Sequence, residues 1–396
     1  MLPPPGRFTC VEEVLQRARR LVGAYEEEVA RLIPDDTVLF DAHVHVGRDI
    51  DGFVAPLEDL CSFLHGSGVA RAFAFCMDEP DREPAFSAAN DRTLEAAAHS
   101  DGLLVPFARL DLAEGPLDEA KRCLDRGARG IKLHPRAQGF LLNDERLAPI
   151  FELAAERRVP ILIHGGRGLP PIADHLRRLH DAYPESQLIV AHAGIADLAA
   201  LSECFGGRAG VYFDTSVWSA IDLLDMFSRV APEQVLYASD FPYGQQPGSL
   251  LLALRTALLA GLSGDELRSL LGGSAARIAD DRPPLPLSSP KPIEHLDQPL
   301  AFARIHHYLA MATPLLWTRQ ADTIGVLGLA INACAERDGR AEERERIAEL
   351  LATARELWRT FPETEDETER VRLSRVTFRL IHVADILAIT VNASDA

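Results

Sequence analysis

Lysine is almost absent from this 396-residue chain, occurring only at 121, 132 and 291. The formal charge is −18, and the other positive charges are arginines scattered among carboxylates. With no basic stripe, nucleic acid and anionic membrane surfaces are not the expected partners. Long apolar runs are also missing. The most apolar late stretch, Val376 to Val391, is interrupted by Arg379, His382 and Asp385 and is too short to span a bilayer. The start, Met1 to Arg7, is Pro-rich and lacks the apolar core of a secretory signal. Six cysteines, at 10, 61, 76, 123, 204 and 334, form no CxxC pair. In a chain of this size they read as reduced thiols of a cytoplasmic protein, not as a disulfide framework.

The pattern that is present alternates strand and helix. An amphipathic helix is expected over Val11 to Leu32, with apolar residues at Val14, Leu21, Val22, Tyr25, Val29 and Leu32. Eight short apolar runs follow: Val38–Val46, Ala70–Met77, Leu103–Leu110, Ala128–His134, Val159–His164, Gln187–His192, Gly210–Thr215 and Gln234–Asp240. Helical patterns such as Pro56–His65, Asp144–Arg157 and Ser216–Val230 separate them. Near-continuous apolar strands between helices imply a parallel sheet covered on both faces. The fold class is therefore α/β, as a closed (β/α)₈ TIM barrel over residues 37–280. An open doubly wound sheet is the alternative, but its Gly-rich phosphate turn is missing. Residues 1–36 form an N-terminal helical segment. Pro-rich residues 281–293 form a linker. Residues 294–396 read as an all-α accessory domain suited to a homodimer contact, with Ile347, Leu350, Leu351, Ala354, Leu357, Trp358 and Phe361 at helical spacing.

The chemistry gathers at strand ends. In Phe40-Asp41-Ala42-His43-Val44-His45-Val46-Gly47 two imidazoles lie two residues apart and project from one strand face. Three more apolar strands end in His164, His192 and Asp240. A lone histidine at a strand end is usually a packing or surface group, but four histidines and an aspartate at the carboxyl ends of parallel strands are not explained that way. Neutral imidazoles with one carboxylate suit zinc or a similar divalent ion at a catalytic site with an open position.

The motifs FDAHVHVG, PFARLDL, GIKLHPRAQGF, ILIHGG, LIVAHAG, VYFDTS, YASDFPYG and LLGGSAARIA together resemble the amidohydrolase superfamily, in the amidohydrolase-related branch that contains metal-dependent hydrolases and non-oxidative decarboxylases. The resemblance covers about Thr37 to Ala279 and has no counterpart for the C-terminal module. One departure is Ser274, where the family often has Asn. The resemblance implies that His43, His45, His164 and Asp240 hold one divalent metal, zinc before manganese or iron, with His192 beside it. Asp240 would then move a proton between water and the leaving group. His192 would polarise the substrate carbonyl or steady an oxyanion.

Lys132 sits in Gly130-Ile131-Lys132-Leu133-His134, an interior-type strand where an unpaired ammonium is expensive. Three readings stay open for it: an ion pair with Asp41, a contact to a substrate carboxylate, or a carbamate bridging two metals. His134 shares its face. Arg109, Arg136 and Arg167 follow or end strands and could clamp an anionic substrate. Asp214 could orient a histidine from behind or cap a helix. The expected function is metal-dependent hydrolysis of a C–N or C–O bond in a small molecule. A metal-dependent decarboxylase of a small carboxylic acid is the alternative, and a catalytically silent binding barrel is a third reading.

Overall fold

The structure is a computed structural model that describes residues 11–50, 52–318, 320, 323–336, 340–361 and 364–392. The Pro-rich start and Cys10 lie outside them. The chain divides into two compact units, one from Ile33 to Glu294 and the other joining the N-terminal helix to the chain from His295 onward.

In the first unit, β1 (Leu39–Arg48), β3 (Val69–Cys76), β4 (Leu104–Arg109), β5 (Gly130–Leu133), β6 (Pro160–Ile163), β7 (Gln187–Val190), β8 (Val211–Asp214) and β9 (Val235–Leu236) lie side by side in parallel order. A two-residue strand, β2 (Val54–Ala55), folds back antiparallel on the end of β1. The chain after β9 closes the ring. Tyr237 O accepts from Ala42 N at 2.8 Å, His43 O from Asp240 N at 2.9 Å, and Phe241 O from His45 N at 2.8 Å. The (β/α)₈ barrel read from the strand pattern is thus formed, with ligand-type residues at the carboxyl ends of its strands.

Inside the barrel, Phe40, Ala42, Phe73, Phe75, Val105, Phe107, Leu162, Ile189, Tyr212 and Leu236 make one apolar cluster, closed by Ala275, Ile278 and Ala279 of the helix Ser274–Ala279. β1 departs from plain alternation. Its register against β3 runs Asp41↔Ala72 and then Val44↔Ala74, so three steps on β1 oppose two on β3. This bulge switches which face its side chains take, so that Phe40 and Ala42 pack in the cluster while His43 and His45 serve the layer above. The helix expected over Ser216–Val230 forms only over Ala220–Arg229, N-capped by Ser219. Ser216 bonds to Asp214 and His192 instead. The Pro-rich stretch is pinned to the barrel unit: Lys291 N donates to Phe227 O, the Lys291 amine pairs with Glu266 at 2.6 Å, and Ser288 N donates to Glu233 at 2.9 Å.

The second unit contains the helices Leu300–Trp317, Thr323–Cys334, Ala341–Thr360 and Glu367–Ile389. The helix Val11–Leu32, expected as a segment of its own, packs with these helices. Its buried stripe of Val14, Leu15, Ala18, Val22, Tyr25 and Val29 needs a partner face, and Arg17 on the same helix pairs with Glu356 and donates to Thr353 Oγ1 at 3.1 Å. No helix among the described residues is long and apolar enough to cross a membrane.

Candidate metal centre

The donor atoms of His43, His192 and Asp240 lie within 4.8 Å of one another at the carboxyl end of the barrel. His43 ends the bulge of β1, His192 follows β7, and Asp240 follows β9. Two of these stand in left-handed backbone, His192 at φ 58° and Asp240 at φ 59°. A non-glycine residue takes that conformation at a cost and keeps it when the surroundings enforce it. At Asp240 the enforcement is visible, because its carbonyl accepts from Tyr243 N at 2.8 Å and Gly244 N at 2.9 Å.

The ring protons follow from the partners. His43 Nδ1 lies 2.8 Å from Asp214 Oδ2, which can only accept, so Nδ1 carries the proton and Nε2 presents a lone pair. His192 Nδ1 donates to the Ser216 carbonyl at 2.8 Å, so its Nε2 is likewise left as an acceptor. Asp214 and Ser216 form one frame: Asp214 Oδ1 accepts from His192 N at 2.8 Å, from Ser216 N at 3.0 Å and from the Ser216 hydroxyl. Such a carboxylate or carbonyl behind the ring is the usual support of a metal-binding histidine. His45 Nε2 lies 3.2 Å from Asp240 Oδ1, and its ring packs edge-on against Tyr243.

The donor set suits a divalent cation. Burial, reinforced by Lys132, pushes His43 and His45 well below the ordinary histidine range and keeps them neutral. Burial also takes His164 down to about 2, with His192 and Lys132 adding repulsion. His45 Nδ1 and both ring nitrogens of His164 are buried without a hydrogen-bond partner, a cost that a bound ion or substrate would relieve. The Asp240 carboxyl is pushed up by burial, against the pull of His192 and Lys132.

The remaining expected residues sort by depth. His164 packs edge-on against His192 with ring centroids 4.6 Å apart, but it is not in the converging group, whereas His192, placed beside the metal by the sequence reading, is. His134 stacks flat on His164 at 4.0 Å, its Nδ1 accepting from Ala137 N. Lys132 is buried, its Nζ 3.4 Å from His43 Nε2 and 4.5 Å above the ring centroid of Phe75. No ion pair joins it to Asp41, because Asp41 is turned to the backbone, accepting from His43 N at 3.2 Å and Ser239 N at 3.0 Å. Burial raises the Asp41 carboxyl to about 7. Arg109 is 2% exposed, stacks over Phe86 and donates to Cys76 O, with Asp78 3.9 Å away. Arg136 and Arg167 are exposed and face solvent.

Three participants escaped the sequence reading. Ser216 supports His192 through a backbone carbonyl, which leaves no trace in residue type. Tyr243 donates to Asp49 and lies against His45 and Phe53, one turn beyond Asp240. Gly166 is the third: a Cβ there would stand 2.9 Å from His164 Cε1 and 3.0 Å from His192 Cδ2. The Gly-Gly pair after His164 was the available signal, since glycine marks places where no side chain fits.

Residues 40–278, more than half of the chain, match the sequence profile of the amidohydrolase family. The chain belongs to this family. Its members are metal-dependent enzymes acting on small molecules, so the barrel unit of this amidohydrolase carries the family's fold and a candidate metal site. No curated protein matches the sequence. Among solved structures, the apo form of the IDCase of Metarhizium anisopliae is 15% identical, covers 62% of this chain and 97% of its own, and has a TM-score of 0.48. The 5-carboxyvanillate decarboxylase of Sphingomonas paucimobilis is 15% identical over 62% of this chain and 99% of its own, at 0.46. The 4-oxalomesaconate hydratase of Rhodopseudomonas palustris is 16% identical over 61% and 96%, at 0.46. Likenesses at this level say nothing about the substrate.

Proposed function

We propose that this amidohydrolase hydrolyses a C–N or C–O bond in a small anionic molecule, using one divalent ion held by His43, His192 and Asp240, with His45 sharing the Asp240 carboxylate. The observation that carries the reading is the convergence of those three donor groups, two of them imidazoles already oriented from behind by Asp214 and Ser216. When bound, the ion, with zinc first in this reading, supplies Lewis acidity and eases the deprotonation of water near neutral pH. The protein's residues do the rest. Asp240, whose carboxyl burial favours protonation, receives the proton at a carboxylate oxygen and returns it to the leaving group. In this reading His164, which packs against His192 and has both ring nitrogens buried, meets the reacting group. Arg109 and Lys132, both buried basic groups, hold the negative charge of the substrate.

The same basic groups favour a second reading, decarboxylation, because they would hold a carboxylate inside the barrel. A turnover screen of metal-loaded protein against lactones, amides and aromatic carboxylic acids, scoring both hydrolysis and CO₂ release, separates the two. Hydrolysis without CO₂ is expected. Protein that neither carries nor takes up zinc, manganese or iron would overturn both and leave the silent barrel. Ligand choice is tested by metal analysis of single variants: His192→Ala should lose the ion and His164→Ala should keep it. The reverse result restores the ligand set expected from the sequence.

The described cysteines, 61, 76, 123, 204 and 334, are free thiols, which supports a cytoplasmic location. Self-association through residues 294–396 belongs to the same reading, supported by exposed Leu300, Met311 and Leu329 and checked by light scattering.

A further inference from the structure

Lys132 stands in the way of the ion. Its Nζ lies 3.4 Å from His43 Nε2, the nitrogen that the Asp214 contact leaves without a proton. That same Nε2 is 3.3 Å from Asp240 Oδ1, so the amine reaches into the converging donor group itself. An imidazole nitrogen has one lone pair, and a donor N–H and a coordinated cation compete for it. Moving the side chain has a cost, since it is 1% exposed and its head lies over the ring of Phe75. Burial, reinforced by Arg109, pulls the Lys132 amine down to about 7, while Asp214 and Asp240 act to keep it protonated. A divalent ion placed among His43, His192 and Asp240 would therefore compete with the Lys132 amine for the His43 lone pair.

Resting on the metal-site reading above, we propose that Lys132 is a built-in competitor for the metal. In the metal-free protein its amine holds the His43 lone pair. Metal binding must displace that amine by rotation of the Lys132 side chain, so Lys132 sets a weakened, readily reversed metal affinity. The carbamate reading predicts the opposite sign, because there the lysine would contribute ligand oxygens and its removal would cost metal.

The test is zinc affinity, measured by competition with a chromophoric chelator on the full-length wild type, Lys132→Met and Lys132→Arg. Lys132→Met keeps the length of the side chain and removes both charge and donor, and it should bind zinc at least about tenfold more tightly. Lys132→Arg keeps the charge and should not tighten binding. Unchanged zinc affinity in Lys132→Met overturns the proposal, and weaker affinity overturns it in favour of the carbamate. A second readout needs no Met variant. With only three lysines in the chain, ¹³C-lysine-labelled protein gives few enough Cε signals to assign. The signal missing from Lys132→Arg should shift on zinc addition while those of Lys121 and Lys291 stay. A Lys132 signal unmoved at zinc saturation overturns the proposal. Failure of both wild type and Lys132→Met to bind zinc overturns the metal-site reading and this proposal with it.

Discussion

The interior of the barrel holds two layers drawn from the same strands. In the lower layer Phe107, Leu162, Tyr212 and Ala238 pack in one apolar cluster. Two residues further along each of those chain segments stand Arg109, His164, Asp214 and Asp240. A period of two keeps a side chain facing inward while the chain climbs, so the same geometry delivers packing below and chemistry above. The layers differ in how they meet the cost of burial. Below, apolar area is removed from water and holes are filled by Ala275, Ile278 and Ala279. Above, charged and imidazole groups are buried at a loss and are stabilised only by one another, by Asp214 and Ser216, and by whatever the site binds. A layer that satisfies itself gives stability, and a layer left partly unsatisfied gives affinity.

Substitutions should therefore separate stability from function by layer. The largest effect belongs to Asp240→Asn, which keeps the shape and removes the proton acceptor. Turnover on whichever substrate the screen identifies should fall by about 10²- to 10⁴-fold, while the thermal midpoint of the metal-free protein holds or rises. A large loss of stability with activity retained would reverse the assignment of the upper layer. In the lower layer, Leu162→Ala deletes a fully buried side chain beneath His164. It should cost about 2–5 kcal/mol in denaturant unfolding and leave zinc affinity of the folded protein within a few-fold. Zinc binding that collapses together with stability would show that the layers are not separable. Gly166→Ala sits at the edge of the upper layer. Its Cβ would press on the rings of His164 and His192, so zinc affinity and turnover should drop by about tenfold, with little change in the unfolding midpoint.

The lower layer was legible in the sequence and most of the upper one was too, for the same reason. Apolar runs such as Leu188-Ile189-Val190 mark strands by periodicity and length, and the polar residue that ends each run marks the rim. What could not be read came from backbone geometry. The bulge in β1 shows no composition signal, and without it Phe40 and His43 would lie on opposite faces. The carbonyl of Ser216 supports His192 whatever side chain residue 216 carries, so the convergence of His192 with His43 and Asp240 was hidden. The helix Gly248–Leu259 is buried nearly all round and so lacks the one-sided pattern that reveals a surface helix. The N-terminal helix showed its apolar stripe plainly but not the partner of that stripe, which lies more than three hundred residues on in the helices that contain Glu356 and Arg372.

The smallest expected effect tests where the upper layer ends. Sequence position alone placed Arg109, Arg136 and Arg167 together as candidate clamps for an anion, but the structure buries Arg109 and exposes the other two. An exposed guanidinium is screened by water and salt and must give up side-chain freedom to hold a ligand, so its contribution is small. A buried one acts through a low effective dielectric. Arg136 also has a local role, since its stem lies against Gly168, which stands at φ +87°. Arg136→Ala and Arg167→Ala should therefore raise KM for an anionic substrate by no more than about threefold, an effect that shrinks further at high salt. Arg109→Met should raise it by at least about tenfold at any salt concentration. If Arg136→Ala matched Arg109→Met, the anion would be gripped at the rim by a loop that closes over it, and the boundary between buried chemistry and exposed surface would have to move outward to the turn after His134.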